Sequence, residues 1–175
     1  NYWIRSRQLD KEIIQSPFKA AKMVFASIRG EDYNYLISIF LAPAVRFFGG
    51  DRISYVVSVS IIYLIPVFLT TMFLIRRTYL PAGIVDSMLG FIAAVATIWF
   101  FPPFLLPVLF GIPDVAGVLI VNIVLFFYLR KSPSEQTTGT LITIGVLLAF
   151  MILIRRWYAY WAVAFIGAAI ITEII

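Results

Sequence analysis

The 175-residue sequence contains no cysteine and no histidine, and these two absences exclude several kinds of chemistry. Without cysteine there is no disulfide framework and no thiolate nucleophile, and without histidine there is no imidazole base. The zinc sites that proteins build from cysteine and histidine are excluded as well. Any chemistry must therefore use carboxylates, hydroxyls, amides, lysine, arginine or a hard cation bound by oxygen ligands.

Charged residues are also scarce, at 13% of the sequence, whereas 62% of the residues are apolar. A soluble domain is nearer to about half apolar and about a quarter charged, and the mean hydropathy of this chain is +0.96. The net charge of +5 lies mainly at the ends of apolar runs, where basic residues orient membrane proteins. No basic stretch is interleaved with aromatic residues as in proteins that bind single-stranded nucleic acid. We therefore predict an integral membrane protein that contacts lipid and does not bind nucleic acid.

The apolar runs predict an all-α fold, a polytopic membrane helical bundle with about five transmembrane helices. Most of these runs are long enough to cross about 30 Å of hydrocarbon, and the third becomes so if it is extended backwards. The predicted spans are residues 53–75, 83–101, 115–129, 140–154 and 157–175.

Residues 1–52 predict an outer loop with amphipathic helices that lie at the membrane interface. Between residues 11–28 the apolar residues recur at helical spacing, with a break near Pro17. A helix that packs on the surface of its own protein is an equally good interpretation of this pattern. The apolar stretch 35–48 is too short to span, so it predicts a second interfacial or re-entrant helix. Because the chain starts at Asn1 and ends inside an apolar run, we expect it to be a piece of a longer membrane protein.

The basic pairs that follow the spans predict an orientation, and they also produce a conflict. The pairs at 76–77 and 130–131 are separated by two spans, so they lie on one side, which we assign as cytoplasmic because basic loops face the cytoplasm. The same count places the pair at 155–156 on the outer face, against that rule. Either the proline-rich segment 101–114 contains an additional crossing, or the fourth run is a hairpin, or the outer arginines bind an anion such as phosphate.

The count of spans also places the acidic residues of "RGEDYN" and "GIPD" on the outer face. One outer surface is then expected to carry Glu31, Asp32, Asp114, Arg155 and Arg156. Each group has a structural alternative, because acids before helices are typical caps and arginines can extend to lipid headgroups.

An acidic pair in the first outer loop, followed by interfacial helices, resembles the GT-C superfamily of membrane glycosyltransferases. "GEDYN" is similar to the motif that carries the catalytic carboxylate, "GIPD" to a later outer acid, and "RRWYAYW" to an arginine-aromatic segment beside the lipid phosphate. Protein O-mannosyltransferases and the bacterial aminoarabinose transferases are the members most similar in pattern. The first helix of that family, its later spans and the soluble C-terminal domain of some members have no counterpart in this sequence.

The resemblance implies transfer of a sugar from a polyprenyl-phosphate donor to an acceptor hydroxyl, on the extracytoplasmic side of a prokaryotic cytoplasmic membrane. It implies Asp32 as the general base, with Glu31 as second choice. The two adjacent carboxylates repel each other when both are charged, so the pair is expected to share a proton or a divalent cation. The arginines would stabilise the departing phosphate and the polar residues would hold the sugar. The predicted substrate-binding residues are Asp114, Arg155, Arg156, Tyr33 and Asn34.

A non-enzymatic membrane subunit or a transporter fragment is the alternative function. Transporters bind substrates near the middle of the bilayer on interrupted helices. Pro66 is the only proline deep within a predicted span, and no charged residue is clearly placed at that depth. A structural subunit has no need of clustered outer acids, so replacing Glu31 and Asp32 would leave its role intact.

Overall fold

The computed structural model describes most of the chain, and all regular secondary structure in that part is helical. The described residues are 2–31, 34–79, 83–100, 106, 108–110, 112–130 and 135–174. The helices are α1 (Tyr2–Gln15), α2 (Pro17–Gly30), α3 (Ser38–Phe47), α4 (Arg52–Val59), α5 (Ile65–Tyr79), α6 (Ile84–Phe100), α7 (Val115–Tyr128), α8 (Thr138–Ile154) and α9 (Tyr158–Ile174). A π-helical turn, Ser60–Leu64, joins α4 to α5. The predicted all-α fold is therefore confirmed for the described residues.

Helices α1, α2 and α3 form an N-terminal layer in which α1 packs against both of the others. The break between α1 and α2 falls where the sequence predicts it, because Pro17 takes the first position of α2 and the Ser16 hydroxyl accepts from the Lys19 amide at 3.4 Å. Arg46 of α3 binds the Asp10 carboxylate of α1 through Nε at 2.9 Å and through Nη2 at 2.5 Å. This hydrogen-bonded pairing raises the pKa of Arg46. It ties α3 to α1.

Helix α2 buries one face and exposes another that is apolar. Ala20 and Val24 are buried in a small core with residues of α1 and α3. Phe18 and Phe25 are 83% and 70% exposed, and their spacing of seven residues places them on one face of the helix. The helix thus packs on its own protein and also presents an outward apolar face. Its placement at a membrane interface stays a prediction.

A glycine turn directs the chain from the N-terminal layer into the long helix. Gly49 and Gly50 have φ values of 112° and 77°, in the left-handed region that glycine adopts without steric cost. Asp51 then caps α4, accepting from the Ser54 amide at 2.6 Å. Hydrogen bonding by the side chain and amide of Ser54 lowers the pKa of Asp51. Trp3 of α1 donates from Nε1 to the Gly50 carbonyl at 3.3 Å, so the turn is held against the layer.

One helix in the described part of the chain is long and apolar enough to cross a membrane, by length and composition. It is Arg52–Thr78, which runs through α4, the π-helical turn and α5 over 27 residues. Five crossings were predicted, and the other apolar helices are shorter, at 10–17 residues. A helix of 17 residues rises about 25 Å, which is less than about 30 Å of hydrocarbon. The shorter helices are Ser38–Phe47, Val115–Tyr128, Thr138–Ile154 and Tyr158–Thr172.

Two of the remaining helices pack on the long helix, and the last two follow in chain order. α5 contacts α6 and α7, α7 contacts α8, and α8 contacts α9. A buried amide links α5 to α7: Asn122 Nδ2 donates to the hydroxyls of Thr70 at 3.1 Å and Thr71 at 2.8 Å, and to the Val67 carbonyl at 3.4 Å. These contacts fix how α7 lies on α5.

The outer surfaces of α8 and α9 are apolar and exposed. On α8, Leu141, Ile142 and Val146 are between 54% and 62% exposed. On α9, Val163 and Ile170 are 70% and 54% exposed. Large exposed apolar patches are unusual on soluble monomers, so these residues are candidates for contact with lipid or another protein.

Candidate functional site

The N-terminal layer and the helical bundle meet at one end through polar contacts between residues far apart in the sequence. The end of α2, the loop after it, the start of α7 and the connection from α8 to α9 all contribute. We use the term polar end for this cluster, which comprises Arg5, Arg29, Glu31, Asn34, Asp114, Arg155, Arg156 and Tyr158.

Asn34 fastens the loop after α2 to the end of α8. Its Nδ2 donates to the carbonyls of Leu153 at 2.7 Å and Ile154 at 3.1 Å, and its Oδ1 accepts from the Leu36 amide at 3.0 Å. The last carbonyls of a helix have no partner inside the helix, so the Asn34 amide satisfies two of them from 119 residues away. The sequence predicts a sugar contact for Asn34, but at 3% exposure its observed role is to cap α8.

Asp114 and Arg155 form an ion pair that joins the start of α7 to the connection between α8 and α9. Their side chains are 30% and 17% exposed. Asp114 occupies the capping position of α7, yet its side chain makes no capping hydrogen bond. The carboxylate therefore serves the ion pair, and the capping interpretation of this residue does not describe its contacts.

Tyr158 makes a second link between the start of α9 and the start of α7. Its hydroxyl donates to the Asp114 carbonyl at 2.7 Å. Its ring lies so close to Gly117 that a Cβ at that position would overlap it. The absence of a side chain at Gly117 thus allows Tyr158 to reach the loop before α7.

Arg156 connects the start of α9 to the end of α2. Its Nη2 donates to the Arg29 carbonyl at 3.0 Å. The guanidinium thereby lies near the C-terminus of a helix, where the dipole favours positive charge. A guanidinium has five N–H donors in a planar fork, the geometry that pairs with phosphate oxygens.

Glu31 of the predicted acidic pair is bound by Arg5 of α1, with Arg5 Nη1 2.5 Å from Glu31 Oε2. The Glu31 amide donates to the Ser27 carbonyl at 2.9 Å, so Glu31 ends α2 and does not cap the start of a helix. The Arg5 guanidinium also lies 5.1 Å from the centre of the Tyr35 ring. Sequence reasoning missed Arg5, because nothing local to its helix relates it to a carboxylate 26 residues away.

Asp32 and Tyr33, the predicted base and a predicted sugar contact, lie outside the described residues. A divalent cation shared by Glu31 and Asp32 is therefore still a prediction. Within the described ranges, no three acidic side chains come together to form a metal site.

Exposed aromatic side chains lie next to the arginines at the start of α9. Trp157 and Tyr160 are 67% and 74% exposed, with their ring centres 6.0 Å apart. Such residues are typical of the boundary between membrane and water. They extend the polar end towards the apolar surface of α9.

The structure brings Glu31, Asp114, Arg155 and Arg156 to the same end of the molecule. That this end lies on the outer face of a membrane stays a prediction. Arg76, Arg77 and Arg130 lie at the far end of α5 and α7, where Arg77 Nη2 donates to the Arg130 carbonyl at 3.2 Å. The two groups of cations are therefore separated by the length of α7.

Comparison with protein-family models, with curated proteins and with solved structures finds no match. The functional argument therefore depends on the chemistry and geometry of the polar end.

Proposed function

We propose that the chain belongs to a polytopic membrane glycosyltransferase that moves a sugar from a polyprenyl-phosphate donor to an acceptor hydroxyl at the extracytoplasmic face. The observation that carries this proposal is the meeting of carboxylates and guanidinium groups at the polar end. A lipid-linked phosphate sugar needs cations for its phosphate, a base for the acceptor and a hydrocarbon surface for its tail. The polar end and the adjacent surface of α9 offer suitable groups.

The membrane placement is supported by the long apolar helix and by the exposed apolar surface of the bundle. In the most apolar 18-residue stretch of Arg52–Thr78, only 22% is buried inside the protein. Lipid would cover the remainder, together with the exposed residues of α8 and α9. In this proposal α6 to α9 also cross the membrane.

The proposed base is Asp32. Glu31 is already bound by Arg5, which favours its neighbour for proton transfer and gives Glu31 a positioning role. Asp32 accepts the proton of the acceptor hydroxyl, the hydroxyl oxygen bonds to the anomeric carbon, and the bond from that carbon to the phosphate oxygen breaks.

The proposed ligands of the departing phosphate are Arg155 and Arg156. Negative charge grows on the phosphate as its bond to the sugar breaks, and fixed cations stabilise that charge. The ion pair with Asp114 holds Arg155 in position, and the bond to the Arg29 carbonyl holds Arg156. Arginine suits this role because its planar fork matches phosphate oxygens.

The test is Asp32→Asn in the full-length protein, assayed in vesicles for transfer from a polyprenyl-phosphate sugar. Loss of a general base lowers the rate about 10²- to 10⁴-fold, and we expect a loss in that range. Asp51→Asn is the matched control, because Asp51 lies at the glycine turn and asparagine is an equally good helix cap. Transfer at the wild-type rate by the Asp32 variant would contradict the proposed mechanism.

A non-enzymatic subunit or transporter is the second candidate. The observation that favours it is the π-helical turn before Pro66 in the middle of the long helix, since transporter sites use interrupted helices at that depth. In that case Asp32→Asn would leave function intact, and the assay above separates the two candidates.

A further inference from the structure

A groove with a volume of about 320 Å³ lies between α5 and α7, away from the polar end. Its walls are almost wholly apolar. They are formed by Leu69, Thr70, Phe73, Ile123 and Phe126. Leu69 and Phe73 are 50% and 47% exposed, so the groove opens on the outer surface of the bundle.

The polar side chain in the wall of the groove, Thr70, already makes hydrogen bonds within the protein. The Thr70 hydroxyl donates to the Pro66 carbonyl at 2.7 Å and accepts from Asn122 at 3.1 Å. A ligand lying along the groove would therefore meet hydrocarbon, and its polar group would have to bind at an end.

Arg77 lies at one end of the groove, beside the backbone of Arg130. Arg77 follows Phe73 by one helical turn and so continues the same face of α5. Its guanidinium carbon lies 6.0 Å from the centre of the Phe126 ring in the groove wall. Arg77 also donates to the carbonyl of Arg130, in the turn that ends α7. The Arg77 guanidinium therefore places positive charge where the apolar groove ends.

We propose that this groove binds one acyl chain of an anionic membrane phospholipid, with the lipid phosphate at Arg77 and Arg130. An apolar channel that ends in arginines matches a molecule with a hydrocarbon chain and an anionic head, and guanidinium groups bind phosphate oxygens bidentately. The site rests on the membrane placement proposed above and is independent of sugar transfer. It lies at the end of α7 opposite Asp114, so its lipid belongs to the leaflet opposite the proposed donor.

The experiment is native mass spectrometry of the whole protein released from detergent, with dioleoyl phosphatidylglycerol and dioleoyl phosphatidylcholine as the two probes. We expect the wild-type protein to retain one phosphatidylglycerol at least fivefold more strongly than phosphatidylcholine. Arg77→Gln should remove most of this preference. Arg52→Gln should leave it unchanged, because Arg52 is an exposed arginine at the opposite end of the same long helix.

A second variant tests the contribution of the groove to lipid binding separately from that of the arginine charge. Leu69→Trp fills part of the groove and keeps both arginines, and we expect it to lower retention of phosphatidylglycerol at least threefold. Equal retention of the two lipids by the wild-type protein would overturn the proposal, as would unchanged retention in both Arg77→Gln and Leu69→Trp. Displacement of the lipid by glycerol phosphate at similar concentration would assign the site to the phosphate alone. A second protein chain cross-linked in the groove would assign it to self-association.

The test of the lipid site can fail or succeed independently of the test of sugar transfer. Lipid retention is measured without a sugar donor, so it does not depend on Asp32 or Arg156. A protein that keeps phosphatidylglycerol but transfers no sugar would support the lipid site and contradict the transferase.

Discussion

Two buried tyrosines of the long helix differ in whether the hydroxyl has a partner. Tyr63 donates to the Ile37 carbonyl at 2.7 Å, whereas the hydroxyl of Tyr55, in a residue 1% exposed, has no hydrogen-bond partner among the described residues. A buried hydrogen bond contributes about 1 kcal/mol. We therefore expect Tyr63→Phe to lower the free energy of unfolding by about that amount, and Tyr55→Phe to leave it unchanged or raise it slightly. Thermal unfolding of both variants in one detergent checks this, and an equal loss in the two would contradict it.

At the residue scale, the sequence indicates which residues carry chemistry but not what each one contacts. Asp114 and Arg155 were both predicted as substrate-binding residues, and in the structure they bind each other. Asn34 was predicted from its place beside the acidic pair, yet it caps a helix 119 residues away. Residue type limits the possible partners of a side chain, whereas only the packing of distant segments selects one of them.

At the element scale, two glycines in helices provide a matched comparison. A Cβ at Gly117 of α7 would overlap the Tyr158 ring, whereas a Cβ at Gly145 of α8 would meet no described atom within 4 Å. Overpacking typically costs about 1–3 kcal/mol, and alanine favours an exposed helix by up to about 1 kcal/mol over glycine. We expect Gly117→Ala to destabilise the protein and Gly145→Ala to be neutral or stabilising in thermal unfolding.

A double variant shows whether the tyrosine ring is the cause. In Gly117→Ala with Tyr158→Ala the overlap is gone, so we expect the second substitution to cost less than it does alone. Strictly additive losses would contradict the proposed contact.

The helices themselves could be predicted closely because their signals are local. Pro17 begins α2 and Asp51 caps α4, and both residue types are recognisable in the sequence as signals for the start of a helix. The π-helical turn at Ser60–Leu64 could not be predicted, because no residue type there requires it. The link between α5 and α7 through Asn122 is also invisible in the sequence, since its partners lie 51 to 55 residues away.

At the scale of the whole molecule, the lack of cysteine makes the topology directly testable. Every single-cysteine variant carries one thiol. We expect an impermeant maleimide to label Glu31→Cys, Asp114→Cys and Trp157→Cys in intact cells, and to label Thr78→Cys only after the membrane is opened. Thr78 is exposed and lies near Arg77, at the other end of the bundle. Labelling of only one or two of the first three positions in intact cells would contradict a common outer face.

In the described part of the chain, hydrogen bonds attach the N-terminal layer to the rest of the protein at several separate places. Trp3 binds the glycine turn, Tyr63 of the long helix binds the loop before α3, and Asn34 binds the end of α8. A peripheral amphipathic arm would leave the bilayer when salt or alkali weakens its affinity for lipid. These helices would instead stay with the bundle under such a wash, because protein contacts retain them. In the proposed membrane placement their depth is consequently set by the bundle, and they act as a fixed part of its architecture.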